Sequence, residues 1–323
     1  VKRLRQNGDE VVCLVRENSR REPLEALDAR FVQGDVMDPD SLRRAVDGVD
    51  VVYHLAGVTK TFRLDEMDRV NVQGVKHIAE ACAARTSPPV LVMISSLAAA
   101  GPAISGRPRR ETDPAQPVSR YGISKRGGEL AAFQRADDVP ITIVRPPIVF
   151  GEGDRDVYRM FRPIHRFGLH VLPRVGRTDL SLVYVDDLAR GLILAAEKGR
   201  RLASPQASPA HDPRGIYFTA FEDTYSYDEL GHLISCALGR PTVRIVPTPQ
   251  AVSWLICMAS EFTSRIRRKP AILNMDKARE IRAGSWTCNT KVAREELGFL
   301  PEATVSQRLE QTAQWYFEEG WLS

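Results

Sequence analysis

The chain has 323 residues, 43% of them hydrophobic and 27% charged, with a formal net charge of +4. That is an ordinary globular composition, long enough for one large core or for a main domain with a smaller partner. The small charge and the scattered basic clusters (Arg20 and Arg21, residues 107–110 and 265–269), set among Pro and Ser, argue against nucleic-acid binding, and five dispersed cysteines without a C-x-x-C pair argue against disulfides or zinc and fit a cytoplasmic protein.

Residues 1–6 read as the end of a helix, apolar at Val1 and Leu4 and stopped by Asn7-Gly8, and residues 10–15 (EVVCLV) as a buried-type strand. Further strand-like runs are RFVQGD, VDVVYHLAG, PVLVMISS and PITIVRPP, with helical patterns at residues 41–46, 71–84 and 124–135 between them. Near-continuous apolar strands alternating with helices indicate a parallel sheet covered on both faces. The expected fold class is α/β, doubly wound. The regularity loosens after Gly151. Residues 201–214 form a loop by their Pro, Ser and Ala content, followed by a strand at 216–220, a helix at 227–238, an apolar helix at 251–262 and an amphipathic last helix at 306–319. The apolar helix is too short to span a bilayer, which takes about 20 residues; a helix packed on the molecule is expected there, with no transmembrane segment.

Sites in such sheets lie at the carboxyl ends of the strands. There the sequence places Gly34-Asp35-Val36, His54-Leu55-Ala56-Gly57 and Ser95-Ser96, followed by Tyr121 and Lys125 at i and i+4. On a helix that spacing puts both side chains on one face. A nearby ammonium favours the phenolate, so the tyrosine can serve as a proton donor or acceptor near neutrality, and Ser96 can hold the same substrate oxygen. Taken alone, Y-x-x-x-K is a weak signal that also fits an exposed Tyr and Lys.

The ordered series is more specific: a strand to G-D-V, a strand to H-L-A-G, N-V-Q-G opening a helix, a strand to S-S, Y-G-I-S-K, a strand to R-P-P-I-V-F-G-E-G-D, then L-V-Y-V-D-D-L-A. It resembles the extended short-chain dehydrogenase/reductase family, also called the NAD-dependent epimerase/dehydratase family, over essentially the whole chain. The resemblance implies a Rossmann domain binding NAD or NADP at residues 1–150 and a mainly substrate-binding part at 151–323, some segments of which return to the sheet. It makes Tyr121 the catalytic acid/base, Lys125 its partner and ribose ligand, and Ser96, chosen over Ser95 by counting back from Gly101, the residue that positions the substrate oxygen. Asp35 and Val36 are expected at the adenine, the backbone of Leu55, Ala56 and Gly57 under the cofactor, and Pro146, Ile148 and Val149 at the nicotinamide. Asn71 matches a family asparagine beside the active site, with helix capping as an equal alternative. His54 reads as structural.

In this family a first strand and a G-x-x-G-x-x-G turn precede the helix that ends at residue 6, and no such turn occurs in the sequence. The expectation is a fragment or mis-started chain preceded by about 15–20 residues holding both features, the alternative being a damaged member without activity. NAD-preferring members usually carry an acidic residue at the end of the second strand; here Val15 stands there and Arg16 follows, which favours NADP, with NAD as the alternative.

Dehydratases of the family place Asp-Glu after the catalytic hydroxyl residue, where this chain has Leu97-Ala98. Nucleotide-sugar enzymes place an asparagine at the Ile148 position and an arginine at the Leu180 position. A diphosphate without that arginine loses a charge-assisted bond of about 1.5–3 kcal/mol, unless Arg174 or Arg177 substitutes. What is left resembles the hydroxysteroid-dehydrogenase and dihydroflavonol-reductase branches. The expected function is NADP-dependent interconversion of a ketone and a secondary alcohol on a mostly apolar small molecule, with a nucleotide-sugar epimerase as the alternative. The remaining partner left open is a second copy of the chain in a homodimer.

Overall fold

The structure is a computed structural model that describes residues 1–61, 63–104, 106–173, 178–204, 212–249, 255, 258, 260 and 275–322. Its strands are β1 (Val12–Val15), β2 (Arg30–Gln33), β3 (Val51–His54), β4 (Val90–Ile94), β5 (Ile141–Arg145), β6 (Ile148–Phe150), β7 (Leu169–Pro173), β8 (Asp179–Leu180), β9 (Leu182–Tyr184), β10 (Ile216–Phe218), β11 (Tyr225–Ser226) and β12 (Arg244–Thr248). In the first half the helices are α1 (Lys2–Gln6), α2 (Glu22–Glu25), α3 (Pro39–Ala45), α4 (Leu64–Asp68), α5 (Gly74–Ala83), α6 (Leu97–Ala100) and α7 (Arg120–Phe133). The second half adds α8 (Tyr158–Phe167), α9 (Val185–Lys198), α10 (Tyr227–Ala237), α11 (Met275–Arg282) and α12 (Val305–Glu318).

The central sheet has the order β10-β5-β4-β3 and is parallel throughout. β1 and β2 form a separate parallel pair. β5 is buried along its whole length, as its unbroken ITIVR run requires of a strand covered on both faces. Successive residues point to opposite faces: Leu91 and Met93 join Leu42, Val75, Ile78 and Ile143 on one side, while Val92 joins Val144, Leu188, Tyr217 and Phe299 on the other. The architecture is therefore the expected α/β one. A further core collects Phe150, Phe161, Ile164, Leu230, Leu309 and Tyr316 from β6, α8, α10 and α12. No helix among the described residues is long and apolar enough to cross a membrane.

α7 begins four residues earlier than the expected start at 124, because the Ser119 hydroxyl caps it by accepting the Gly122 amide at 3.0 Å. Its first turn lacks the apolar spacing that marks a helix in sequence. Two glycines let it sit close: a Cβ at Gly122 would lie 2.3 Å from the Ala98 carbonyl oxygen, and one at Gly128 would lie 2.3 Å from that of Asn71.

α7 is also fixed by charge. The Glu129 carboxylate, 1% exposed, accepts from Arg145 Nε at 2.7 Å and Nη2 at 2.6 Å, from Ser95 Oγ at 2.5 Å and from Arg126 Nη1 at 2.9 Å. Burial pushes the carboxyl up, but Arg145 and these hydrogen bonds outweigh it and hold Glu129 below the usual carboxylate range. Removing one member of a buried ion pair strands the other, at about 3–5 kcal/mol. Glu129→Ala is therefore expected to lose about 3–5 kcal/mol in chemical denaturation, and a loss under about 1 kcal/mol, typical of exposed pairs, would contradict this account.

Candidate active site

Ser96, the N-cap of the one-turn helix α6, accepts the Ala98 amide at 3.1 Å. Its side chain lies near enough to the Tyr121 phenol to lower its pKa. Tyr121 lies in the first turn of α7 and Lys125 one turn on, with Lys125 Nζ donating to the Ile94 carbonyl oxygen at 2.7 Å. Ser96, Tyr121 and Lys125 thus meet at the carboxyl end of β4.

Asn71 completes this cluster. It lies in a π-helical turn (Arg69–Gln73) between α4 and α5 and does not cap a helix. Its Oδ1 accepts the Val58 amide at 2.8 Å, while Nδ2 donates to the Val58 carbonyl at 2.9 Å and to Ser124 Oγ at 2.9 Å. Ser124 Oγ in turn donates to the Tyr121 carbonyl at 2.8 Å. A single buried amide therefore ties the loop after β3 to α7. In that loop Leu55 and Gly57 are exposed and Ala56 is half-buried. A Cβ built at Gly57 would lie 3.3 Å from Asn71 Oδ1 and 3.7 Å from Lys125 Nζ, so the bare backbone leaves this surface open to a flat or extended ligand. Pro146 lies beside α6, its carbonyl accepting the Leu97 amide at 2.8 Å, and Ile148 and Val149 lie on β6, which pairs with β9.

Burial pushes Lys125 down to about 8, against the opposing pull of Glu129. Tyr121 departs from expectation. Burial raises its phenol; the Ser96 side chain lowers it, Glu280 raises it and Lys277 lowers it. Here the cation that acts on the phenol is Lys277, since Lys125 is turned to Ile94. Burial and the charge of Lys125 push His54 down to about 4, so it is neutral at pH 7, and its Nε2 has no hydrogen-bond partner among the described residues.

Arg16 and Asp35 share an open cleft of about 720 Å³ at the ends of β1 and β2, lined also by Asn18, Gln33, Asp38 and Arg44. The Asp35 carboxylate accepts the Met37 amide at 2.9 Å, and the Val36 carbonyl contacts a ring nitrogen of His77 at 3.0 Å. Leu180 does not line this space. It is 1% exposed inside the core shared by β6, α8 and α10. Arg174 and Arg177 lie outside the described residues, as does most of the apolar segment 251–262.

Sequence reasoning missed α11. Asp276 accepts the Arg120 amide at 2.9 Å and the Tyr121 amide at 3.1 Å, and Glu280 accepts Ser119 Oγ at 2.8 Å. A carboxylate about 155 positions away in sequence thus binds the amide end of the Tyr121 helix, where the helix dipole favours negative charge. Nothing local marks it.

A parallel sheet carrying a Ser, Tyr and Lys at its strand ends, beside an exposed backbone loop, belongs to the Rossmann class of dinucleotide-dependent oxidoreductases. Residues 1–208 match the model of the NAD dependent epimerase/dehydratase family, and the chain belongs to that family. It is 28% identical to the ceramide reductase of Caulobacter vibrioides over 324 aligned residues, covering 100% of this chain and 91% of the relative. It is 25% identical to the decarboxylating sterol-4-alpha-carboxylate 3-dehydrogenase of Saccharomyces cerevisiae, over 91% of this chain and 84% of that one. UDP-glucose 4-epimerase from Thermotoga maritima, solved with UDP-glucose, shares the fold at a TM-score of 0.74 and 19% identity, over 98% of this chain and 94% of that one. The protein is an enzyme of the extended short-chain dehydrogenase/reductase group.

Losing a helix cap costs about 0.5–2 kcal/mol. Asp276→Ala is expected to cost that much and to speed hydrogen exchange at the Arg120 and Tyr121 amides, whereas unchanged exchange there would show that α7 holds its first turn without α11.

Proposed function

We propose that this enzyme interconverts a ketone and a secondary alcohol by hydride transfer, with NADP as its preferred cofactor. The observation that carries the reading is the convergence of Ser96, Tyr121 and buried Lys125 at the carboxyl end of β4. NADP, when bound, supplies or accepts the hydride. Tyr121 gives its hydroxyl proton to the substrate oxygen in reduction and takes it back in oxidation. The raised phenol pKa keeps that proton in place at neutral pH, the state a proton donor needs. Ser96 donates to the same oxygen and fixes its distance from Tyr121. Lys125 releases Ile94 to hold the ribose hydroxyls, and its charge then lies one helical turn from the phenol. Residues 1–150 hold the dinucleotide in this reading, and 151–323 mainly hold the substrate.

NADP is preferred because β1 ends in Val15, where NAD-preferring members carry an acidic residue, and because the exposed Arg16 and Arg44 stand in the cleft beside Glu17, Asp35 and Asp38. A ketone–alcohol substrate is supported by the names of two relatives, one a reductase and one a 3-dehydrogenase. It is also supported by the apolar Ile148 and Leu180 at positions where nucleotide-sugar enzymes carry an amide and a guanidinium. An epimerase would recycle its cofactor, so net turnover separates the two readings. Oxidation or reduction of an apolar ketone or alcohol with stoichiometric NADP(H) change is expected, and epimerisation of a UDP- or GDP-sugar without such change would replace this reading.

Tyr121→Phe is expected to abolish nearly all turnover without changing the melting temperature, since only one oxygen is removed; retained activity would move the proton donor elsewhere. Arg16→Ala should weaken NADP binding about tenfold and leave NAD unaffected, the worth of one charge-assisted hydrogen bond. Equal affinities for the two cofactors in the unmutated protein would remove Arg16 from the site. Below about pH 8 Lys125 is an ammonium, and above it the charge is lost. NADPH affinity should therefore fall as pH rises through about 8, and Lys125→Met should flatten that profile.

A further inference from the structure

Two arginines from different elements flank the end of β2, and Gly34 is the residue that brings them together. On one side the Gly34 amide donates to the Val15 carbonyl at 3.0 Å, which sets Arg16, the residue after β1, beside it; the Arg16 amide donates to Ser19 Oγ at 3.0 Å and so shapes the turn that follows. On the other side lies Ser41 of α3. A Cβ built at Gly34 would stand 2.4 Å from the Ser41 Cβ, so the bare glycine lets α3 dock on the strand end. There the Ser41 hydroxyl accepts the Asp35 amide at 3.1 Å and donates to the Asp38 carbonyl at 2.8 Å. Arg44 follows Ser41 by three residues, on the same face of α3. It lines, from α3, the cleft of about 720 Å³ that Arg16 lines from the end of β1.

Both guanidiniums are exposed, and among the described residues neither makes a side-chain hydrogen bond or ion pair, whereas the adjacent Arg43 is paired with Asp40. Three carboxylates share the cleft. Asp35 and Asp38 each commit one oxygen to a backbone amide, that of Met37 at 2.9 Å and that of Asp40 at 3.1 Å, while Glu17 stands exposed in the turn after β1. A single arginine is outnumbered by these acids and gives the cleft little attraction for a doubly negative group. Two guanidiniums converging on one phosphate each present paired N–H donors to its oxygens and together match its charge.

We propose that Arg44 is a second cofactor-specificity residue, closing on the ribose 2′-phosphate of NADP from α3 while Arg16 closes on it from β1. The proposal rests on the NADP reading and deepens it. Preference for the phosphorylated cofactor is then divided between two elements that Gly34 and Ser41 hold at a fixed separation, and neither arginine sets it alone.

The test is a calorimetric titration of the full-length protein, without substrate, using 2′,5′-ADP and 5′-AMP as probes; the two differ only in the 2′-phosphate. The unmutated protein should bind 2′,5′-ADP at least about tenfold more tightly, the scale of one hydrogen bond between charged groups. Arg44→Ala should weaken 2′,5′-ADP about tenfold and leave 5′-AMP within about twofold. Arg44→Lys should recover part of that loss, since it keeps the charge and gives up the fork of donors. Melting curves check that both variants are folded, which the exposure of Arg44 leads one to expect. If Arg44→Ala binds both probes as the unmutated protein does, or weakens both equally, the role of Arg44 is overturned while the NADP preference stands. Equal affinity of the unmutated protein for the two probes overturns the NADP reading and the proposal with it.

Discussion

The buried ion pair between Glu129 and Arg145 is the constraint on which the site depends. Tyr121, Lys125 and Glu129 follow one another at intervals of four along α7, so they lie on one face. Glu129 is held by ion pair and hydrogen bond, through Ser95 at the end of β4 and Arg145 at the end of β5, and Lys125 by a bond to the Ile94 carbonyl. Once these two are fixed, Tyr121 can only stand over the strand ends. The Gly122 and Gly128 contacts act in the same direction by removing the side chains that would hold the helix off α6 and the π-helical turn. A pair that contributes little net stability can still set position, because any other placement of α7 would leave a carboxylate or a guanidinium buried without its partner.

Much of this was legible in the sequence because it rests on periodicity and local order. The unbroken apolar runs gave the parallel strands, and the i, i+4 spacing gave the shared face of Tyr121 and Lys125. The ordered motifs pointed to the family before any contact was known. What the sequence hid was set by contacts between distant segments. Asp276 is an ordinary acidic residue near the start of a helix until the fold brings it to the amides of α7. Asn71 looked as suited to capping as to a site role, and only its bonds to Val58 and Ser124 separate the two. Leu180 was readable as a missing arginine but not as a core residue. The direction of the Tyr121 pKa was also beyond pattern reading, since burial and the charge of Glu280 oppose the effect that spacing alone suggests.

Lys125 and Lys277 reach this site from different halves of the chain. Lys125, deeply buried and paired with a backbone carbonyl, belongs to the cofactor side through its proximity to Gly57. Lys277, half open and paired with a carboxylate, belongs to the side built from the second half of the chain. The phenol is raised by burial and by Glu280 and eased down by Lys277, while Lys125 is held on the Ile94 carbonyl.

The π-helical turn around Asn71 has a consequence for how this chain can vary in length. Such a turn holds one residue more than an α-helical turn, so the helix accommodates an extra residue without breaking. Deleting one residue within Arg69–Gln73 would make the helix regular, the locally easier conformation. Each residue in an α-helix turns the chain by about 100°, so the deletion would swing Asn71 out of line with Val58 and Ser124 and unfasten the loop after β3 from α7. Along this stretch the helix preserves an irregularity that its own backbone energetics would remove, and the number of residues between β3 and β4 is fixed by a side chain and not by the span they bridge.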